Sequence, residues 1–300
     1  MPKYLITTAK ITFAAAMVLG LIVWVQLSYG WRETLSEWAK PSILSIALAS
    51  LFILLSHMLR VTRIYFAYTR VQALSFKSCT AVSLVHNTVS FLLPMRLGEL
   101  ALPALSRHQL DIEYKYSAAS LVLLRLFDAH VLLSLLLFFA GGLFMGEYAL
   151  IAPLLLLAAL PVFMVILQQL GGRVKKLQFA APLFKNHRTW LSLYAFTVAI
   201  WFIKLLALAT LASSLGDLPI DHAWIATIIA DGSALSPLTG FANAGTFELA
   251  FTLPLLPLGY TAEPLIKTAV NVHLFIFITN ICIGIFGFTL LQSKQAIQKG

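Results

Sequence analysis

Six ionisable side chains stand inside stretches that are otherwise apolar: Arg96, Glu99, Arg125, Asp128, Lys204 and Glu248. Arg96 and Glu99 are three positions apart, as are Arg125 and Asp128, which puts both members of each pair on one helix face. An arginine offers a planar fork of donors that suits phosphate or carboxylate. A neighbouring acid either holds that fork or meets a cationic group. Lys204 has no local acid, so its partner must come from another segment, Asp231 or Glu248. Ionised groups at bilayer depth cost about 2.5–3.5 kcal/mol each on insertion scales, and they pair or face water. Two readings follow: a site for a polar headgroup, or ion pairs that only hold helices in register.

Catalytic chemistry finds little support. The chain has no G-x-S-x-G, H-E-x-x-H, phosphate-binding loop or dinucleotide-binding glycine pattern. Its seven histidines and two cysteines lack metal-ligand spacing. We therefore expect no enzyme, no cofactor and no metal site. Asp111 and Glu113 read as a solvated loop. His57, His86, His130 and His273 read as hydrogen-bonded core histidines, Cys79 and Cys282 as small core residues, and Asn87 and Asn243 as turn residues.

The elements that must position these groups are membrane helices. The 300 residues are 60% hydrophobic and 11% charged, against about 25% charged in soluble domains. The expected fold is all-α and polytopic, with full spans near 9–28, 42–60, 117–143, 149–170, 190–213 and 265–291. The first is expected to be an uncleaved helix, because its apolar run exceeds a signal-peptide core and lacks a good cleavage site. Two further segments, 76–110 and 222–259, are hydrophobic but broken. Pro94 and Gly98 interrupt the first; Pro237, Gly240 and Gly245 interrupt the second. Each half is short for a span, so each segment is predicted to be a re-entrant helical hairpin.

With both hairpins returning to their own side, fifteen Lys and Arg residues, Arg60 and Arg63 among them, fall on the side of the N-terminus. Only Arg32, Lys40 and Lys267 fall on the other. This asymmetry predicts cytoplasmic N- and C-termini. It also explains the net charge of +9 without nucleic acid. The order span, span, hairpin, span occurs in 1–146 and again in 147–300. Because the first half starts inside and the second outside, they read as inverted repeats within one membrane domain. Broken segments at matching places in such halves point to a site near the midplane.

The stretches LPMRLGEL (93–100), LLRLFDAH (123–130) and SPLTGFANAGTFELA (236–250) resemble the lysylphosphatidylglycerol synthase transmembrane region, or flippase-like, family. The resemblance covers nearly the whole chain in order, on Pro94, Arg96, Gly98 and Glu99, then Arg125 and Asp128, then Pro237, Gly245 and Glu248. It implies a multi-pass protein of a bacterial or archaeal cytoplasmic membrane that moves a polar or anionic lipid between leaflets. It also implies Arg96, Glu99, Arg125, Asp128 and Glu248 as headgroup-binding residues, and Lys204 is expected to join them because a lone cation deep in an apolar span needs a shared polar site. The sequence departs from the family where basic residues often follow the first Gly-Glu and precede the second Glu; Leu100, Ala101, Leu102 and Phe247 stand there. A different headgroup is therefore expected. The expected partner is a membrane lipid, with a separate lipid-modifying transferase as a second partner and no nucleic acid; the oligomeric state is left open. The alternative function is a scaffold or lipid-handover subunit for such a glycosyl- or aminoacyl-transferase.

Overall fold

The computed structural model describes residues 19, 22–23, 25–27, 30–144, 146–236 and 241–297. The helices that build the site are α1 (Ile43–Tyr68), α2 (Phe76–Leu92), α3 (Ala101–Leu110), α4 (Tyr114–Phe144), α5 (Ile151–Arg173), α6 (His187–Gly216), α7 (Ile220–Gly232), α8 (Thr246–Thr252) and α9 (Ala262–Ile297). No strand occurs among the described residues. Five helices are long and apolar enough to cross a membrane: α1, α4, α5, α6 and α9. They coincide with five of the six predicted spans. Most of the sixth, 9–28, lies outside the described residues.

Local chemistry sets several helix ends. Ser42 Oγ accepts from the Ser45 amide at 3.1 Å and caps α1. Asn186 Oδ1 accepts from the Arg188 amide at 2.9 Å and caps α6. Leu93 takes an extended conformation ahead of Pro94, which stops α2.

Both broken segments fold back on themselves. In the first, α2 and α3 pack together around a tight 3₁₀ turn at Pro94–Leu100. A Cβ at Gly98 would sit 2.2 Å from the Val89 carbonyl oxygen, so only glycine lets the arms approach this closely. The outer ends meet as well, because Gln72 Nε2 donates to the Leu110 carbonyl at 2.5 Å. In the second, α7 packs on α8, and His222 Nδ1 lies 2.8 Å from the Tyr260 hydroxyl at the outer ends. Gly245 breaks this hairpin with a φ of 80°, and Asn243 is the predicted turn residue, at φ 64°. Pro237 and Gly240, also expected as breaks, lie outside the described residues.

The hairpins enter from opposite ends of the bundle. Hairpin two starts beside Asp217, which with Glu37 holds Lys40 at the start of α1. Hairpin one starts just beyond Arg70, past the other end of that helix. The 26 residues of α1 separate these ends by about 39 Å at 1.5 Å per residue. The tips meet between them, where Arg96 Nη1 donates to the Leu235 carbonyl at 2.9 Å. Hairpin one also packs along α9. Gly284 and Gly287 face Thr88 and Leu84, and Thr88 Oγ1 donates to the Asn280 carbonyl at 3.0 Å. Small residues let two backbones approach in this way.

Large apolar side chains cover the outside. Val122, Leu126 and Leu133 on α4, Leu154, Leu155 and Val162 on α5, and Ile285, Phe286 and Phe288 on α9 are all exposed. Such a continuous surface suits lipid rather than water. Two expectations need correction. Cys282 is exposed on α9 and does not sit in the core, whereas Cys79 is buried as expected. Arg60 and Arg63 are not loop residues. Helix α1 continues through both to Tyr68 and carries them into the bundle, where Arg63 is buried. Taking these two away leaves thirteen of the fifteen basic residues on that side, so the charge asymmetry survives.

Candidate functional site

A cavity of about 120 Å³ opens where the hairpin tips meet. Helices and tips together supply its lining: His57 and Arg60 from α1, Asn87 and Phe91 from α2, Arg96 and Glu99 from the first tip, Arg125 from α4, Trp201 and Lys204 from α6, Asp231 from α7, Phe247 from α8, and His273 and Asn280 from α9. The second tip adds Leu235 and Asn243.

The backbone of the first tip is shaped to present Arg96. Met95 and Arg96 both take left-handed conformations, at φ 53° and 58°, which cost a non-glycine residue about 1–3 kcal/mol each. The reversal brings the guanidinium back over its own turn, where Nη2 meets Glu99 Oε1 at 2.5 Å. Arg125 Nε reaches the same Oε1 at 2.8 Å. On the far side of Arg125, Nη1 meets Asp128 Oδ2 at 3.0 Å, and Asp128 Oδ1 meets Arg63 Nη1 at 2.7 Å. Alternating charges thus run Arg96, Glu99, Arg125, Asp128, Arg63, from the cavity into the core.

Across the cavity, Lys204 Nζ donates to both oxygens of Asp231, at 2.7 and 2.6 Å. This settles its partner between the two predicted acids. Trp201 lies between two cations: Arg60 stands 5.2 Å and Lys204 5.4 Å from its ring centroid. The indole Nε1 donates to Asp128 Oδ1 at 2.9 Å. Arg60 has no ion pair among the described residues. Of the lining groups, Arg60, Arg96, Arg125 and Lys204 are cationic and Glu99 and Asp231 anionic, which leaves an excess of two positive charges.

Four of the six predicted headgroup residues therefore line the cavity: Arg96, Glu99, Arg125 and Lys204. Asp128 and Glu248 sit behind it. Asp128 is fully buried, with its oxygens taken by Arg63, Arg125 and Trp201. Glu248 Oε2 accepts from the Gly245 amide at 2.7 Å and starts α8. Its Oε1 lies 2.6 Å from His273 Nδ1, while His273 Nε2 lies 2.7 Å from the Ala242 carbonyl oxygen. Both imidazole nitrogens therefore face oxygen acceptors.

Of the other predicted core histidines, His130 is hydrogen-bonded to the Tyr194 hydroxyl and the Leu156 carbonyl. His57 and His86 are buried as expected, with the Nδ1 of each left without a partner. Around the cavity, Asn87 Nδ2, Arg96 Nε and Asn243 Oδ1 are likewise unpartnered. Such buried polar atoms are uncommon and mark a place where a polar guest would be welcome.

Sequence reasoning missed Arg60, Arg63 and Trp201 as parts of this network. A signal existed: the run after Arg63, Ile64-Tyr65-Phe66-Ala67-Tyr68, stays apolar and aromatic, so the helix need not end at Arg60. Asp111 is exposed and paired with Arg107 at 2.6 Å, as a solvated loop residue should be. No group of three or more metal-binding side chains occurs among the described residues.

Comparison with known proteins adds one finding. A family model described as the lysylphosphatidylglycerol synthase TM region matches residues 9–284. No curated protein matches the chain.

Proposed function

Because the chain belongs to the lysylphosphatidylglycerol synthase TM region family, we propose that it is a lipid translocator that carries a polar headgroup through the cavity between its hairpin tips while the tails stay in the bilayer. One observation carries this reading above the rest. The cavity is lined by six charged side chains with an excess of two positive charges, and it lies where hairpins from opposite ends meet. A protein that needed only staples would gain nothing from uncommitted donors on such a surface.

In this reading the hairpins are re-entrant in the bilayer, and 1–146 and 147–300 are inverted repeats. Both termini face the cytoplasm of a bacterial or archaeal cell. Arg96, Arg125 and Lys204 meet the headgroup, Glu99 orients the two arginines, and Asp128 and Glu248 hold the supporting layer. The reaction is movement without bond chemistry, so no enzyme activity, cofactor or metal is invoked.

A second reading, a non-transporting subunit that hands lipid to a separate transferase, draws support from the closed network around Asp128, whose oxygens are all engaged. Reconstitution separates the two. Purified protein in vesicles with fluorescent phospholipids in both leaflets should make the inner-leaflet pool accessible to a membrane-impermeant quencher, and Arg125→Gln should slow this. Folded protein that retains lipid yet moves none above protein-free vesicles would favour handover.

A further inference from the structure

Every carboxylate near the cavity is already compensated, whereas several cationic donors are not. Glu99 stands between Arg96 and Arg125. Asp231 gives both oxygens to Lys204. Asp128 is shared by two arginines and an indole, and Glu248 by a backbone amide and His273. A ligand ammonium entering here would meet no uncompensated acid among the described residues. By contrast, Arg60 stands against the Trp201 ring with no ion pair among the described residues, and Arg96 Nε and Asn87 Nδ2 are buried donors without acceptors. A guest that completes these bonds must be an acceptor and an anion.

Charge and size narrow the class. Two excess positive charges in a site of low dielectric are balanced by a dianion and only half balanced by a monoanion. About 120 Å³ is small beside the roughly 300–1,000 Å³ of pockets for drug-sized ligands. It admits a compact headgroup and crowds out one extended by a glycerol and an amino acid.

We propose that the cavity selects a lipid with a compact, doubly charged phosphate headgroup, a phosphomonoester or diphosphate, over singly charged phosphodiesters and over headgroups bearing an ammonium. Arg60 is the selecting residue, since among the described residues it is the lining cation that forms no ion pair with a carboxylate. This rests on the lipid-headgroup reading above and sharpens it. The shared chemistry is the phosphate dianion, and its two sources, lipid and free anion, are told apart by the test.

Binding is measured by native mass spectrometry on the full chain, with phosphatidic acid, phosphatidylglycerol, lysyl-phosphatidylglycerol and inorganic pyrophosphate as probes. Phosphatidic acid should bind on the order of tenfold or more tighter than either phosphodiester lipid, from one extra charge in a poorly screened site. The preference should collapse near pH 5, where a phosphate monoester with a second pKa of about 6 is mostly a monoanion. Arg60→Gln breaks no ion pair, so it should fold and lose the preference while keeping residual lipid binding. Equal or tighter binding of phosphatidylglycerol or its lysyl ester overturns dianion selection but leaves lipid binding intact. Pyrophosphate binding as tightly as phosphatidic acid overturns the lipid reading and this proposal together, and assigns the site to a soluble anion. If Arg60→Gln fails to fold, the wild-type preference and its pH dependence still decide.

Discussion

Arg63 Nη1 stands 2.7 Å from Asp128 Oδ1, joining helices that meet 65 positions apart in the chain. Both side chains are buried, and Arg125 and Trp201 complete the coordination of the acid. Asp128 is thus the hub of a four-residue network, where the local spacing suggested a self-contained pair with Arg125.

The network makes unequal substitutions. Asp128→Ala leaves Arg63 buried without its acid and should cost about 3–5 kcal/mol, the range for breaking a buried pair. Arg125→Ala leaves Asp128 with Arg63 and Trp201 and should cost clearly less. Replacing Arg63 and Asp128 together by leucine should recover most of the loss. Thermal unfolding in detergent, followed by intrinsic fluorescence, checks this; equal losses for Asp128→Ala and Arg125→Ala would contradict the hub.

The hairpin tip predicts a second contrast, between two glycines. Gly98→Ala places a methyl group 2.2 Å from the Val89 carbonyl oxygen, against the backbone of α2 rather than a side chain that could move aside. It should abolish folded, monodisperse protein. Gly142→Ala meets nothing within 4 Å, and inside α4 it should be neutral or stabilising by about 0.5–1 kcal/mol. Size-exclusion profiles of the two variants suffice to compare them.

Sidedness can be read with thiol labelling. In a background with Cys79 and Cys282 replaced by alanine, cysteines at Glu37 and Asp217 should react with impermeant reagents from outside the cell. Cysteines at Asp111 and Asn186 should react only once the cytoplasmic side is opened. The exposed ion pair of Lys40 with Glu37 and Asp217 marks the first end, and that of Arg107 with Asp111 the second. Reversed labelling would refute cytoplasmic termini.

Glu248 separates hydrogen bonding from charge. Glu248→Gln can still accept from the Gly245 amide and donate to His273 Nδ1, so it should unfold close to the wild-type temperature. Glu248→Ala loses the α8 cap and leaves His273 Nδ1 without its partner; a lost cap alone costs about 1 kcal/mol. If the two variants unfold alike, the hydrogen bonds to Gly245 and His273 do not hold this turn.

The sequence by itself determined the helical membrane class, five spans that coincide with long apolar helices, and the two broken segments. These features are local. A run of apolar residues, a proline before a turn and a glycine at a tight approach each act through neighbours in the chain. Spacing likewise made Arg125 with Asp128 legible, because three positions on a helix fix a contact, whereas Arg96 meets Glu99 through the left-handed turn at Met95 and Arg96. Tertiary structure decided the rest. Lys204 had two acids within reach on paper, and only the packing of α6 against α7 selects Asp231. Arg63 looked like a loop residue until α1 carried it against α4. Glu248 looked like a cavity carboxylate until the turn at Gly245 aimed it at its own helix start and at His273. The excess charge of the cavity is a sum over five elements. No window of sequence contains it, because side chains far apart in the chain share one dielectric environment only after the helices have packed.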